Sequence, residues 1–292
     1  TASGNSAYGY QALDAITTGD DNTAMGFGAL TANTTGQRNV AIGRKALLAN
    51  TTANYNIAVG FEALAANTTA ADNIAIGKSA AAANTTGTRN ITIGFEAYAA
   101  SDTENDNLAI GYQAMTTNTA GGTLNVAVGN YSLDALTSGD SNVGVGHNSL
   151  GANNSGNRNT AIGDDALKAH TTGNNNVAVG YQALLVDTTG AQNVAIGKGA
   201  LEANTTAADN TAVGADALTA NTTGAGNVAV GKSALAAHTT AEGNTAIGKA
   251  ALATITTVVR NTAVGFEALT AQTTGYNNTA IGYVAGKAMT EG

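Results

Sequence analysis

NVAIGRKALLANTTANY, residues 39–55, is followed at once by NIAVGFEALAANTTAAD, residues 56–72. The two segments agree at almost every place that could matter for structure. The same pattern runs through the whole chain. Seventeen copies of an Asn-x-Ala-x-Gly motif begin at Asn5, Asn22, Asn39, Asn56, Asn73, Asn90, Asn107, Asn125, Asn142, Asn159, Asn176, Asn193, Asn210, Asn227, Asn244, Asn261 and Asn278. Each step is seventeen residues except that from Asn107 to Asn125, which is eighteen. The third place departs from Ala only at Thr92 and Gly144, and the fifth is always Gly. A fixed period of this length marks a repeat architecture, and no register is lost, so residues 1–292 read as one array.

Within a copy, Val40 and Ile42 flank Ala41, the alternation of a short strand with β-branched residues on one face and a small residue on the other. Gly43 ends it. Ala46 and Leu47 bring a second apolar pair, and Asn50-Thr51-Thr52 is turn chemistry. One copy holds too little to close a core alone, so the copies must stack, each column in register with itself. The fold class expected is all-β, a parallel β-roll or β-solenoid of seventeen 17-residue coils. Each coil reads as two short extended segments and two corners, with Val/Ile at places two and four and Leu at place nine buried in columns. A strand followed by one helical turn is the competing reading, because FEALAAN (61–67) contains good helix formers. The leading Asn of each copy can form an amide ladder, and the Gly column suits positive φ or close backbone approach.

Composition narrows the function. The chain has 292 residues, but aromatics make up 4%, charged residues 11%, and Pro, Cys and Trp are absent, which is poor material for a deep globular core. A formal charge of -8 disfavours nucleic acid and anionic membranes as partners. Without Cys there are no disulfides or thiolate metal sites, which fits an extracellular chain. No apolar run is long enough for membrane insertion. The start carries no basic-then-apolar leader, so the sequence reads as a mature chain or a fragment. The last copy runs to YVAGKAMTEG (283–292) without an evident polar cap, so either caps lie in flanking sequence or the ends join.

NVAIG (39–43, 193–197), NTAIG (159–163, 244–248) and NTAVG (210–214, 261–265), each followed by x-x-Ala-Leu, resemble the head repeats of trimeric autotransporter adhesins of the YadA-like type. They are also similar to the repeat arrays of phage tail-fibre proteins. The resemblance implies a left-handed β-roll, three chains side by side, on a bacterial cell surface or virion fibre. The repeat here is longer than the usual head repeat, and no neck, heptad stalk or anchor pattern is present. The resemblance carries trimerisation, and the smooth Ala column (Ala41, Ala58, Ala75, Ala161, Ala178, Ala195) offers the place for it, with the post-Gly column outside.

Candidate sites are few. The residue after Gly is aromatic at Tyr10, Phe27, Phe61, Phe95, Tyr112, Tyr181, Phe266 and Tyr283. Exposed rings in a row can stack on a glycan or a protein, or can shelter the backbone of neighbouring coils. Asp102, Glu104 and Asp106 alternate like a calcium loop in an irregular corner region spanning 101–124, although a solvated acidic turn accounts for them as well. His170 and His238 share a column, four copies apart, too far for one metal; His147 stands elsewhere. The NTT triplets at 33, 50, 67, 84, 204 and 221, and NNS at 153, match a glycosylation sequon but also follow from the corner itself. Thr fills the first corner position in fifteen of seventeen copies, which suggests ice-binding solenoids; adjacent threonines point to opposite sides, however, and leave one outward rank. No nucleophile, acid–base pair, metal set or cofactor loop can be assembled, so no enzyme is expected. The expected function is a structural or adhesive fibre segment that contacts itself, as homotrimer or end-to-end filament, and a host glycan or protein. A self-assembling filament subunit or an ice-binding solenoid is the alternative.

Overall fold

A computed structural model describes residues 1–271 and 274–289. Gln272, Thr273, Thr290, Glu291 and Gly292 lie outside the described residues. The chain is all-β. Every copy contributes one three-residue strand at places two to four, from Ser6–Tyr8 to Thr279–Ile281, and no helix forms among the described residues. The chain divides into two compact units, residues 1–144 and 145–292. The division falls within the strand Val143–Val145, where Gly144 stands in the Ala column.

In each unit the strands pair in parallel with the copy before and after. Val40, Ala41 and Ile42 face Ile57, Ala58 and Val59; Val177, Ala178 and Val179 face Val194, Ala195 and Ile196. The ladder does not stop at the strand. Val40, Leu47, Ala49 and Thr51 donate their N–H groups to Asn56, Ala63, Ala65 and Thr68 of the following coil, and Gly43, Lys45 and Tyr55 donate to Met25, Phe27 and Gln37 of the preceding one. Nearly the whole circuit is thus hydrogen-bonded to its neighbours, which makes a parallel β-solenoid. Repetition of the sequence is what makes this satisfaction of the backbone possible.

The second half of each coil is neither an extended segment nor a helical turn. Places seven and nine take left-handed backbone: Lys45 at φ 60° and Leu47 at 49°, Asp165 at 55° and Leu167 at 49°. Place seventeen does the same, as at Arg38 (56°) and Arg158 (55°). Left-handed geometry at a non-Gly residue costs on the order of 1 kcal/mol or more, and Leu is not a residue that seeks it. Burial of the Leu side chain offsets that strain: Leu47, Leu64, Leu167 and Leu184 are fully buried, and such burial contributes about 1.5–3 kcal/mol.

The interior also corrects the sequence reading of the strand. The Ala column points inward: Ala41, Ala58, Ala75, Ala161, Ala178 and Ala195 are fully buried, together with the Ala of place eight and the Leu of place nine. The residues at places two and four point outward, and Ile42, Ile76, Ile162 and Ile196 keep 37–42% of their surface exposed. Two faces were legible, but their assignment was reversed. The coil is narrow: Leu47, Ala46, Ala53, Asn39 and Asn50 are all fully or almost fully buried beside Ala41. Beside that set only a small side chain fits on the inner side of the strand, and the one larger member, Thr92, is also fully buried and turns its hydroxyl to the Ile74 carbonyl at 3.1 Å. The Ala column therefore cannot be an interface between chains.

The leading Asn works as anticipated. In Asn39 the side-chain Oδ1 accepts the backbone N–H of Asn56 at 2.9 Å, and Nδ2 donates to the Ala53 carbonyl at 2.8 Å. One amide thus ties the corner of its own coil to the strand of the next. A second buried Asn rank stands at place twelve, where the sequence suggests turn chemistry alone. Asn50 Nδ2 reaches Asn33 Oδ1 at 3.2 Å and Asn67 Nδ2 reaches Asn50 Oδ1 at 3.0 Å, so this is an amide ladder as well.

His238 interrupts the second ladder. Its ring is fully buried, Nε2 meets the Ala241 carbonyl at 2.8 Å, and Nδ1 has no partner, nor has Asn221 Oδ1 one coil earlier. Burial holds its pKa below the ordinary 6.5, although the Ala241 carbonyl acts in the other direction. The folded chain therefore resists a proton that the unfolded chain accepts. Stability is full above about pH 6.5 and falls as the pH drops below it. His238→Asn restores the amide repeat, and we expect it to raise the unfolding midpoint by an amount equivalent to about 1 kcal/mol. It should also flatten the loss between pH 7 and 5 in thermal melts. An unchanged pH profile would show that His238 is not the group responsible.

Candidate binding surface

The post-Gly column lies on the surface, where Tyr10, Phe27, Tyr112, Tyr181 and Tyr283 are exposed and Phe61, Phe95 and Phe266 half-buried. Its rings face one another along the stack. Tyr10 and Phe27 are parallel at 5.4 Å, Phe95 and Tyr112 at 5.2 Å, and Phe266 and Tyr283 at 5.4 Å. Cations fill the intervening places. The Arg44 guanidinium sits 5.8 Å from the Phe27 ring centre and 5.6 Å from that of Phe61, Lys78 lies over Phe95 at 5.0 Å, and Lys249 over Phe266 at 5.5 Å. In the first unit these contacts make two π–cation runs, Tyr10–Phe27–Arg44–Phe61 and Lys78–Phe95–Tyr112, on successive coils. Faces used this way are not offered to a sugar; edges and Tyr hydroxyls are what remains. Tyr181, between Asp164 and Lys198, has no ring neighbour in the column.

The acidic corner is organised around Glu104. Glu104 occupies the corner place usually held by Gly, its side chain is turned in, and its carboxylate accepts N–H groups of Asp102, Thr103 and Gly121, each at 3.1 Å. The residue inserted in the following coil brings Gly121 (φ 103°) to that carboxylate, which gives the eighteen-residue step a physical reason. Asp106 forms a two-point pair with Arg89 at 2.5 and 2.8 Å, and Asp102 is exposed. Glu104 and Asp106 therefore serve separate partners, and Asp102 lies on the surface. Beside them Tyr98 replaces the interior Leu and accepts from Asn107 Nδ2 at 2.7 Å. Burial, and secondarily the Glu104 charge, push its phenol above its ordinary pKa.

His170 is fully buried between the Asp187 carboxylate and the Gly173 carbonyl, both at 2.8 Å. The seven sequon Asn residues are all buried and bonded in their corners, so no glycan can reach them in the folded chain. The first corner Thr spends its hydroxyl on the next coil, as in Thr34 to the Thr51 carbonyl (3.1 Å) and Thr188 to that of Thr205 (3.0 Å). The second Thr is exposed in a single rank.

Two features were not foreseen. The outward rank at place four forms an apolar stripe along each unit, with Ile93, Ile162, Ile196 and Ile247 exposed, and place two widens it where it holds Ile57 or Ile91 and not Thr. Only the assignment of inner and outer faces hid it. The other is a meeting of His147 with Asp164 and Asp165, whose ligating atoms lie within 4.8 Å of one another. The seventeen-residue spacing of His147 and Asp164 was its sequence signal. No helix among the described residues is long and apolar enough to cross a membrane. Compared with known proteins, the chain matches no family model and no curated sequence.

Proposed function

We propose that the chain is a non-enzymatic structural and adhesive segment that assembles through its strand face into a parallel homotrimer. The observation that carries this reading is the outward rank at place four, apolar in every coil, beside a place-two rank that is Val, Ile or Leu in ten of the seventeen coils and Thr or Ser in the rest. Side chains in a row, the Ile residues before the last strand up to about two-fifths exposed and the Val residues less so, form an apolar patch of the kind soluble monomers rarely leave uncovered. Every coil repeats its place-four member, so a partner with the same period matches it at each step, and a second copy of the chain has that period. The resemblance to adhesin head and tail-fibre repeats supports three copies, a left-handed coil and an extracellular place on a cell surface or virion. Attachment to a host glycan or protein then falls to the surfaces left outside. Places two and four take the interface role in place of the Ala column.

Sedimentation equilibrium of the purified chain tests this. A mass of three chains, independent of concentration over the micromolar range, is expected. A folded monomer would defeat the trimer and favour the filament or ice-binding alternatives, which freezing-hysteresis measurements and imaging would then separate.

A further inference from the structure

His147 is the one histidine of the post-Gly column and Asp164 its one acid, and they stand on successive coils. His147 Nδ1 lies 2.9 Å from Asp164 Oδ1, and an oxygen of the adjoining Asp165 completes a set whose ligating atoms are all within 4.8 Å of one another. A tetrahedral ion with bonds of about 2.1 Å holds its ligand atoms about 3.4 Å apart, so the set needs only side-chain adjustment. We propose that these three residues form a site for one divalent transition-metal ion of the Zn2+ class, with water completing its shell. One imidazole with two carboxylates favours Zn2+, Ni2+ or Cu2+ over Mg2+ and Ca2+, which take oxygen alone.

The surroundings suit an exchangeable ion. His147 and Asp164 are about half exposed, so the approach is open. Asp165 now accepts from Asn148 Nδ2 at 3.3 Å and pairs with Lys168 Nζ at 3.1 Å. Lys168 is a half-exposed cation on a flexible stem that an ion of higher charge displaces. Bound metal would join two successive coils through their outer corners. The chain has three histidines, and His170 and His238 are fully buried, so His147 is the one imidazole that an added ion can reach.

The test is Zn2+ titration of the full chain by calorimetry in a non-chelating buffer, with visible absorption of bound Co2+ as a second readout. One saturable equivalent per chain is expected. His147→Ala and Asp164→Asn, both at exposed positions where circular dichroism should stay unchanged, weaken it at least about tenfold. Lys168→Ala strengthens it several-fold, because a competing cation is gone. A merely structural His–Asp pair would not produce that gain. Absence of saturable binding, binding unmoved by His147→Ala, or a Lys168→Ala variant that binds no tighter would each overturn the proposal.

Discussion

Gly163→Val lowers stability by about 3 kcal/mol or more, while Thr171→Ser in the same coil is nearly silent. Two independent costs meet at Gly163. Its backbone sits at φ 136°, where an L side chain is strained by about 1–3 kcal/mol. A Cβ built there would lie 2.6 Å from the carbonyl oxygen of Gly180, an atom of the next coil's backbone that cannot rotate aside. Relief requires the coils to move apart, which weakens the bonds that place the strand Thr160–Ile162 against Val177–Val179. Thr171, in contrast, contributes a hydroxyl to the Thr188 carbonyl at 2.8 Å, and Ser keeps that hydroxyl. Denaturant unfolding followed by circular dichroism measures both, and limited proteolysis should find new cleavage near residue 163 in the Val variant only. Equal midpoints for the two variants would mean that the Gly column is not under steric constraint.

That column was legible because its cause is local. A residue that never varies over seventeen copies, at the end of an alternating triplet, points to backbone geometry, and the Cβ collisions in the structure are that geometry. The Asn39 ladder was legible for the same reason, since a stacked identical amide has one obvious partner. What escaped depended on the coil as a closed object. Val40-Ala41-Ile42 declares two faces, yet the choice of inner face depends on the width of the interior, which no single copy states. Leu47 looked like part of an extended or helical stretch, because its left-handed backbone contradicts its own preference and is imposed by the circuit. Asn50 looked like a turn residue until its neighbours at 33 and 67 were seen stacked on it. His147, Asp164 and Asp165 look scattered until the period is used as a map of contacts. Once seventeen residues means one step up the stack, residues 147 and 164 are neighbours.

The inner and outer faces of one strand separate folding from assembly, so the same substitution on the two faces should fail differently. Glu at Ala161 and Ala178 would place carboxylates against the buried Leu167, Leu184 and Ala166, with no cation among those side chains. An unpaired buried charge costs several kcal/mol, on the order of 3–5. The double variant should lose its β circular dichroism spectrum and expose hydrophobic surface to dye. Glu at Ile162 and Ile196, both about two-fifths exposed, leaves that interior intact and perturbs the fold of a single chain by about 0.5 kcal/mol or less per site. Within the proposed trimer, however, the same carboxylates would sit in the apolar seam, close to their own copies. Like charges brought together there and stripped of water oppose association strongly. The expected result is a chain of one-third the wild-type mass that retains its β spectrum. Should the Ile162→Glu, Ile196→Glu variant keep the full mass, the strand face is not the seam; should the Ala variants dissociate while still folded, the interior has been misassigned.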